Sequence, residues 1–168
     1  MRPDPRLEVD LSDVELVPMT AAQYEAWLPT SVADYAQEHV VTGRWSAEEA
    51  LRRSREEFDR LLPQGLATPG HDIWSIARTA DHEAVGVLWI QAVDKPEPHA
   101  FIFNIEIFEP FRRRGYATRA MTLLEKTAGD RGLRSVRLHV FGHNTAARPL
   151  YEKRGYVPTN IQMLKRLT

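Results

Sequence analysis

The chain has 168 residues, of which 43% are hydrophobic and 27% charged, and its formal net charge at pH 7 is −1. These are ordinary values for a globular protein that buries one core, and the near-neutral charge disfavours binding to bulk nucleic acid, which usually needs a basic excess. The absence of cysteine excludes disulfides, thiolate metal sites and cysteine nucleophiles. Because no apolar run is long enough for a membrane span or a signal core, we expect a single cytoplasmic domain over residues 1–168.

The first part of the chain is predicted to hold an arm, a strand and helical pieces. Residues 1–12 are polar and contain proline, which indicates a flexible arm, and residues 14–17 are a short strand candidate. Thr20 is placed to cap a helix. Pro29 is expected to interrupt this helix, because proline lacks the N–H of a helix interior, so that a second piece covers residues 31–41.

Another helix is predicted to begin at a capping box. Ser46 and Glu49 occupy the reciprocal positions of this motif, and the helix is expected to end at the Pro-Gln-Gly sequence of residues 63–65. Residues 66–72 contain Thr-Pro-Gly and are predicted to form a loop.

From residue 73 the pattern favours strands. Residues 73–78 and 84–93 flank a polar turn, which predicts a hairpin, and residues 100–108 are rich in the β-branched and aromatic side chains of a strand. Residues 117–128 place five apolar side chains on one helical face. The remaining predicted elements are a strand over 135–141, a helix over 144–153 and two strand segments over 156–167. The order βααβββαβαβ indicates a mixed sheet with helices on its faces, an α/β architecture.

A basic turn, Arg-Arg-Arg-Gly-Tyr-Ala-Thr at residues 112–118, joins a predicted strand to a predicted helix. A helix N-terminus offers unpaired N–H groups, Gly115 lets the backbone approach a phosphate, and arginines add charge-assisted hydrogen bonds. Arginine at a helix start opposes the helix dipole and costs about a few tenths of a kcal/mol each time. Three such residues favour a compensating anion, so we predict a pyrophosphate site here. The alternative is a surface loop whose arginines only solvate the helix start.

A second stretch with possible chemistry begins at residue 143. Asn144 stands at the mouth of the short predicted helix, and Tyr151 follows seven residues later on the same side. This pairing suits a ligand that lies along the helix start. In the alternative interpretation, Asn144 only caps the helix and Tyr151 is a half-buried core residue.

Residues from about 100 to 167 closely resemble the GCN5-related N-acetyltransferase (GNAT) superfamily. The acetyl-CoA signature of that family, Gln/Arg-x-x-Gly-x-Gly/Ala, is matched by Arg112, Gly115 and Ala117. Alanine stands at residue 117 where a second glycine is commoner, and the motif tolerates it. Residues 1–98 fit the family's order of elements but carry no signature of their own.

The family's second signature is also present. It is an asparagine followed by alanine-rich residues and then Tyr-Glu-Lys-x-Gly-Phe/Tyr, which Asn144, residues 151–153, Gly155 and Tyr156 match. The closing run over residues 160–167 resembles the family's last strand.

The resemblance implies an α/β fold, GNAT-like, with a mixed and mostly antiparallel central sheet that is splayed in the middle and has helices on both faces. The strands over 100–108 and 135–141 would separate so that acetyl-CoA wedges between them. Residues 14–98 would then form an acceptor-side half and residues 99–168 an acetyl-CoA-binding half.

The resemblance also implies which residues hold the acetyl donor, acetyl-CoA. The strand backbone around Glu106 would bond the pantetheine arm, the amides after Arg112 would hold the pyrophosphate, and Asn144 would contact pantetheine. The expected acetyl-CoA-binding residues are Ile105, Glu106, Ile107, Arg112, Arg113, Arg114, Gly115, Tyr116, Ala117, Thr118, Asn144 and Tyr151. No metal is expected to take part.

Three residues are the main candidates for catalysis, and a fourth is weaker. The resemblance makes Tyr151 the acid that protonates the departing thiolate, and direct attack is expected because no cysteine can carry the acetyl group. Glu106 is the first candidate for the base that receives the amine proton, and otherwise it is an ion-pair partner on a solvated strand. His139 is the second candidate, since histidine titrates in the useful range, and otherwise it is a structural histidine. Glu109 is a weaker candidate.

The acceptor site is expected among the amino-terminal helices and the loop over residues 66–72. The aromatic side chains that are candidates for its walls are Trp27, Tyr35, His39, Trp45, His71, Trp74 and Trp89. Core packing explains most of them equally well. The acidic residues that could attract a cationic amine are Asp34, Glu38 and Glu49.

The predicted function is acetyl-CoA-dependent N-acetyl transfer to a primary amine of a small molecule or a peptide. The alternatives are a catalytically weak CoA-binding sensor, an acyltransferase that uses a longer acyl-CoA, and a nucleic-acid contact through the basic turn. The last is disfavoured by the near-neutral charge. Neither nucleic acid nor a membrane is an expected partner, and a homodimer is left open.

Overall fold

The computed structural model describes residues 11–168, so nearly all of the predicted arm over residues 1–12 lies outside it. The described residues form a sheet with the strand order β1-β2-β3-β4-β5, in which the first four strands are antiparallel to their neighbours and β5 is parallel to β4. The strands are β1 (Val14–Pro18), β2 (His71–Arg78), β3 (Ala84–Val93), β4 (His99–Ile107) and β5 (Ser135–Leu138).

Helices cover both faces of this sheet. They are α1 (Ala21–Val41), α2 (Ala47–Leu61), α3 (Tyr116–Asp130) and α4 (Ala147–Lys153). Alternate strand residues point to opposite faces, so Trp74 and Leu88 join the core cluster under α3, whereas Ile73, Val87 and Trp89 join the cluster under α1 and α2. The predicted α/β class and the mostly antiparallel sheet are therefore confirmed. None of the described helices combines the length and the apolar character that crossing a membrane requires.

The prediction that Pro29 divides the first helix in two is wrong, because α1 is continuous through it. Trp27 and Val32 lie on either side of the proline, are 7% and 2% exposed, and pack into the same core cluster. Burial of these side chains outweighs the cost of about 3 kcal/mol that proline imposes on a helix interior. At the start of the helix, Thr20 and Gln23 form a complete capping box.

Two smaller predictions in the same half need correction. Ser46 accepts a hydrogen bond from the N–H of Glu49, but the Glu49 carboxylate accepts from the Ser46 hydroxyl instead of the backbone, so only half of the capping box forms. The predicted loop over residues 66–72 is shorter than expected. Its first residues belong to a 3₁₀ turn, Gly65–Ala67, and its last two start β2, where they pair with β3.

The contact between β3 and β4 is irregular. Trp89 pairs with Asn104 and Ile90 with Ile102, which leaves Phe103 as the extra residue of a β-bulge. Near the other end of the pair, a Cβ atom on Gly86 would lie 2.1 Å from the carbonyl oxygen of Glu106. Only glycine allows the two strands to come this close, so residue 86 determines the position of the second half of β4.

Three predictions at the carboxyl-terminal side are wrong in extent or kind. β5 ends at Leu138 and not at residue 141, because its partner β4 bends away after Ile102. α4 begins at Ala147, three residues after its predicted start. The strand segments predicted over 156–167 are absent, since no described strand pairs with them.

Candidate active site

The candidate site begins where β4 and β5 part. Their parallel pairing runs from His99 with Ser135 to Ile102 with Leu138 and stops there. The bulge at Phe103 is the next residue of β4, and a bulge increases the local bend and twist of a strand. Residues 103–107 therefore have a backbone edge with no strand partner among the described residues. The predicted splay in the middle of the sheet is confirmed, and it exposes the edge that was assigned to the pantetheine arm.

A tight turn connects this edge to α3. Arg113 and Gly115 both have a left-handed backbone, with φ values of 62° and 79°, and Arg114 between them does not. Such alternation turns successive N–H groups toward one side and makes an anion-binding concavity. Gly115 is also the N-cap residue of α3, and no side chain of residues 11–168 caps this helix. The N–H groups of the first turn of α3 are thus left for another acceptor.

The arginines around the turn divide into two kinds. Arg112 donates a hydrogen bond from Nε to the carbonyl oxygen of Ile107 at 2.8 Å, and Arg119 donates to the carbonyl oxygen of Arg114 at 2.9 Å. These two side chains hold the turn in shape. Arg113 and Arg114 are exposed and have no carboxylate partner within the part of the chain that the structure describes. They are the guanidinium groups available to an anion.

This donor set fits coenzyme A. The diphosphate is a compact dianion that suits an uncapped helix start with two unpaired arginines. The pantetheine arm is an extended chain of amides, which can bond to the unpartnered edge of residues 103–107 in the way that a neighbouring strand would. The first turn of α3 comes directly after this edge and the intervening turn, so the two binding features are continuous.

Tyr151 on α4 is the predicted acid, and its environment suits a proton donor. The ring is half-buried and packs against the core cluster under α3. The hydroxyl has no hydrogen-bond partner among residues 11–168. Burial raises the pKa of Tyr151 above its usual value, so the hydroxyl keeps its proton at neutral pH and is available to donate it.

A network that sequence inspection missed fixes α4 to α3. Arg154 donates two hydrogen bonds to the carboxylate of Glu125, at 3.3 and 2.6 Å, and the hydroxyl of Tyr156 donates to the same carboxylate at 3.1 Å. Burial and the charge of Glu125 raise the pKa of Tyr156 strongly. The one sign of this network in the sequence is the basic residue Arg154 at the end of α4, but its partner Glu125 lies 29 positions away.

Asn144 acts as a cap on the short helix. Its Oδ1 accepts a hydrogen bond from the N–H of Ala147 at 3.1 Å, which explains why the helix starts after the predicted residue. The side chain is exposed. Its amide NH₂ group is not used in this contact, so the role toward pantetheine stays a prediction.

Glu106, the first candidate base, points to the other side of β4 from Tyr151. Its neighbours Ile105 and Ile107 pack against the cluster under α3, so the alternation of a strand directs Glu106 toward α1. Burial raises the pKa of Glu106, the charge of Asp34 on α1 raises it further, and Arg112 opposes both. The candidate base and the candidate acid thus lie on opposite faces of the splayed strand.

His139, the second candidate base, is not on a strand as predicted. It lies just beyond β5 and is exposed, and its ring contacts Phe141 with the centroids 4.9 Å apart. Glu109 lies in a short 3₁₀ turn, Glu109–Phe111, at the start of the basic turn. Neither residue is brought into a hydrogen bond with Glu106 or Tyr151.

The candidate wall residues separate into three groups. Trp27 and Trp89 are core residues under α1 and α2, with exposed fractions of 7% and 2%. Trp74 packs on the other face, under α3, so its assignment to the acceptor side is wrong. His71 accepts a hydrogen bond from the Trp89 indole N–H at 3.0 Å. Tryptophan packing therefore builds the core and leaves few of these side chains for a pocket.

The third group is an aromatic cluster around His39. The ring of His39 is 4.0 Å from Trp45, 4.5 Å from Tyr35 and 5.4 Å from Phe141 between centroids. Both ring nitrogens of His39 lack a hydrogen-bond partner in the part of the chain that the structure describes, and burial lowers the pKa of His39, which favours the neutral ring. Phe141 belongs to the loop after β5, so this cluster joins α1 to the open side of the sheet.

Comparisons with known proteins show which family this chain is similar to. The model of the acetyltransferase (GNAT) family matches residues 32–156. The uncharacterized N-acetyltransferase YycN of Bacillus subtilis (strain 168) is 39% identical over 155 residues, which cover 92% of this chain and 99% of YycN. YdgE of the same organism, also an uncharacterized N-acetyltransferase, is 35% identical over 150 residues, which cover 89% of this chain and 95% of YdgE.

Two solved structures extend the comparison. The crystal structure of YycN superposes with a TM-score of 0.87 and covers 92% of this chain and 99% of its own. AAC(6')-Iy, solved in complex with the bisubstrate analog CoA-S-monomethyl-acetylneamine, superposes with a TM-score of 0.55 at 16% identity and covers 92% of this chain and 98% of its own. The second likeness is one of fold.

Proposed function

The chain belongs to the acetyltransferase (GNAT) family, and from this premise we propose that it transfers an acetyl group from acetyl-CoA to a primary amine of a small molecule or a peptide. The observation that carries the proposal is the uncapped start of α3 beside the unpartnered edge of residues 103–107. Together they offer N–H groups to a diphosphate and strand-like bonds to an amide arm. A chain of the same fold, AAC(6')-Iy, was solved with a CoA-containing ligand.

Each binding residue has a distinct part in holding the donor. The backbone amides from Arg113 to Thr118 would bind the diphosphate, with the guanidinium groups of Arg113 and Arg114 as partners for its charge. The backbone of Ile105, Glu106 and Ile107 would bond the pantetheine arm. Acetyl-CoA, when bound, supplies an activated thioester. An N–H group of the open edge of β4 can donate to the thioester carbonyl oxygen as that oxygen gains negative charge.

Glu106 is the proposed base. An amine attacks only in its neutral form, and an alkylammonium such as the lysine side chain has a pKa near 10.4. The Glu106 carboxylate can accept the proton directly or through water. Its raised pKa, caused first by burial and then by Asp34, makes it a better proton acceptor than an exposed carboxylate. It points toward α1, the side on which we expect the amine to enter.

Tyr151 is the proposed acid. Its hydroxyl can protonate the thiolate as the C–S bond breaks, and it then regains a proton from solvent. A phenol with a raised pKa is protonated at neutral pH, and this hydroxyl has no competing partner among the described residues. A protein that only binds CoA has no need of such a donor, so Tyr151 favours an enzyme over the alternative of a sensor.

His139 is the alternative base, but its position is less suited to proton transfer than that of Glu106. It is exposed beyond β5 and forms no hydrogen bond with Glu106 or Tyr151. Its ring lies beside Phe141 and close to the aromatic cluster around His39. This placement suits a contact with the acceptor more than a proton transfer.

The proposal is tested by two measurements on the purified protein. Calorimetry with acetyl-CoA should give saturable binding. In the presence of a suitable amine or peptide from a panel, the protein should release free CoA thiol at a rate proportional to its concentration. Because the chain contains no cysteine, a thiol reagent detects released CoA without a background from the protein. Longer acyl donors, including succinyl-CoA, are run in parallel to define the acyl preference.

The outcomes separate the alternatives. Binding without turnover on every amine would favour the sensor. No binding at millimolar acetyl-CoA would remove the whole assignment, because both the enzyme and the sensor depend on the same cradle.

A further inference from the structure

The helix that carries the proposed acid depends on other elements for its position. α4 has seven residues, and none of them is buried. Isolated helices of fewer than about 12 residues are marginal in water, so their stability comes from tertiary contacts. The Tyr151 hydroxyl has no hydrogen-bond partner among residues 11–168. Its direction therefore depends on how the Tyr151 ring packs and on what holds α4.

One carboxylate on α3 holds the end of α4. Arg154 donates from Nε and Nη2 to the two carboxylate oxygens of Glu125, at 3.3 and 2.6 Å, and its side chain is only 13% exposed. Two such bonds fix the orientation of the guanidinium as well as its distance. The Tyr156 hydroxyl adds a single bond to the same carboxylate, and the Arg154 pair does not depend on it. Within residues 11–168, every side-chain hydrogen bond that joins residues 147–156 to another element ends on Glu125.

The residues that bind Glu125 also hold the backbone of Tyr151. The carbonyl oxygen of Tyr151 accepts hydrogen bonds from the N–H groups of Arg154 and Tyr156, both at 3.0 Å. Gly155 has a φ of 90° and donates from its N–H to the carbonyl oxygen of Glu152, which completes a Schellman motif at the end of α4. The rings of Tyr151 and Tyr156 are 5.8 Å apart between centroids. Glu125 is therefore connected to the proposed acid through residues that bond to its backbone.

The helix that carries Glu125 also begins at the proposed diphosphate site. Glu125 lies nine residues after Tyr116, the first residue of α3, which is about 14 Å along the axis at about 1.5 Å per residue. One helix thus connects the uncapped N-terminus to the carboxylate that holds α4. A misplacement of about 1 Å in a reacting group can lower a rate by about 100-fold, so the position of the acid relative to the donor has to be fixed.

We propose that Glu125 is a positioning residue, which acts through Arg154 and the end of α4 to direct the Tyr151 hydroxyl toward the sulfur of bound acetyl-CoA. This assignment rests on the proposed function, since it takes Tyr151 as the acid and acetyl-CoA as the donor. Glu125 transfers no proton itself. Its loss should therefore lower kcat and leave the affinity for acetyl-CoA nearly unchanged.

The first experiment compares kcat and acetyl-CoA affinity in two variants of α3. Glu125→Ala should lower kcat by about tenfold, the loss expected without the Tyr151 hydroxyl, and should change the affinity by less than about twofold. Asp130→Ala is the matched control, because it removes a carboxylate of the same helix whose exposed ion pair with Lys126 does not reach α4. It should keep both values. An unchanged kcat in Glu125→Ala, or an equal loss in both variants, would overturn the proposal.

A double-mutant cycle shows whether Glu125 acts through Tyr151. In the Tyr151→Phe background, Glu125→Ala should lower kcat by less than about twofold, because the hydroxyl that it positions is already absent. A further loss of about tenfold would mean that the two changes act independently, and the positioning role would then be wrong.

An apolar replacement separates positioning from stability. Glu125→Ala leaves a poorly exposed guanidinium without its partner, whereas Glu125→Met with Arg154→Met replaces the ion pair by apolar side chains of similar size, which often restores stability. This double variant should melt close to the wild type but keep the reduced kcat, because the flexible methionine side chains fix no orientation. If kcat recovered together with the melting temperature, the ion pair would be only structural.

Hydrogen exchange tests the same connection without any activity. The N–H groups of Arg154 and Tyr156 should exchange about tenfold faster in Glu125→Ala than in the wild type, while that of Met121 in the middle of α3 should not change. Equal exchange at residues 154 and 156 would overturn the proposal. If the wild type acetylated no amine, the proposed function would fail, and this role with it. If the wild type were active and Glu125→Ala kept its kcat, only the positioning role would fail.

Discussion

Helices α1 and α2, on one face of the sheet, begin differently from α3 on the other face. On the first face, α1 starts with a complete capping box of Thr20 and Gln23, and α2 is capped by the Ser46 hydroxyl. On the other face, α3 starts at Gly115 with no side-chain cap and with a left-handed residue two positions earlier. Side chains therefore cap α1 and α2, whereas no side chain of residues 11–168 caps α3.

The difference teaches where to look for a ligand. A side-chain cap bonds one of the free N–H groups of a helix start and contributes stability, while an uncapped start gives up about 1 kcal/mol of capping energy that a bound anion can restore. Glu106 faces the capped helix α1, whereas Tyr151, on α4, packs against the core cluster under α3, the helix whose start is uncapped. We therefore expect the chemistry to take place between the capped helices α1 and α2 and the uncapped start of α3.

The largest effect should come from the uncapped end. Gly115→Val forces a β-branched residue into a backbone with φ of 79° and should weaken acetyl-CoA binding by about 100-fold or more, since the cradle loses its shape. Calorimetry gives the affinity. Gly132, just beyond the other end of α3, has the same φ of 79°, so Gly132→Val is a matched control for strain. If both changes reduced binding equally, strain and not the cradle would be the cause.

The next largest effect is expected when the proposed base is removed. Glu106→Gln should lower kcat by about 100-fold at pH 7. The pKa of Glu106 is raised by burial, so the acid limb of the wild-type rate profile should lie above that of an ordinary carboxyl, and the glutamine variant should lack this limb. His139→Ala is the comparison. If it removed the limb and Glu106→Gln did not, the two assignments would have to be exchanged.

The same group should leave a signature in stability. A carboxyl whose pKa is higher in the folded state than in the unfolded state is costly to ionise in the folded state. The free energy of unfolding therefore decreases as the pH rises from the pKa of the unfolded state through that of the folded state. Glu106→Gln should therefore melt at a higher temperature than the wild type at pH 7, and the gain should vanish below about pH 4. If the variant and the wild type melted at the same temperature at both pH values, ionised Glu106 would not destabilise the fold, which would contradict the prediction.

A smaller kinetic effect is expected from Tyr151→Phe. Without the hydroxyl, kcat should fall about tenfold or more while acetyl-CoA affinity is nearly kept. Tyr156→Phe is the matched control, because its hydroxyl is already bonded to Glu125. This control should lose about 1 kcal/mol of stability and retain its rate. An unchanged rate for Tyr151→Phe would remove Tyr151 as the acid.

The smallest effect tests the capped layer. Thr20→Ala removes the hydroxyl that accepts from Gln23 and should reduce the free energy of unfolding by about 1 kcal/mol. Urea denaturation measures the loss, and acetyl-CoA affinity should not change. A parallel loss of affinity would show that the two layers are coupled, and the contrast between them would fail.

The features that could be predicted from the sequence are those with local causes. The turn before α3 was recognisable because its glycine, its arginines and the following helix are neighbours in the chain. The Thr20 cap, the hairpin of β2 and β3 and the splay of β4 follow from equally local patterns or from the family resemblance that local motifs carry.

What could not be predicted depends on partners distant in the chain. Pro29 remains inside a helix because Trp27 and Val32 are buried against residues of other elements. The bond between Arg154 and Glu125 joins two helices, and no spacing rule links these residues. The strand pattern over 160–167 was sound as a pattern, but pairing needs a neighbour, which the described chain does not supply.

The missing side chain at residue 86 has a consequence for engineering. Gly86 lets β3 and β4 approach closely, and the backbone carbonyl that lies against it belongs to Glu106, the proposed base. A methyl group there would push the Glu106 carboxylate and the open edge of residues 103–107 outward at the same time, so rate and affinity would change together. Libraries that aim to widen the range of amines should hold this position constant and vary the surface of α1 that faces Glu106.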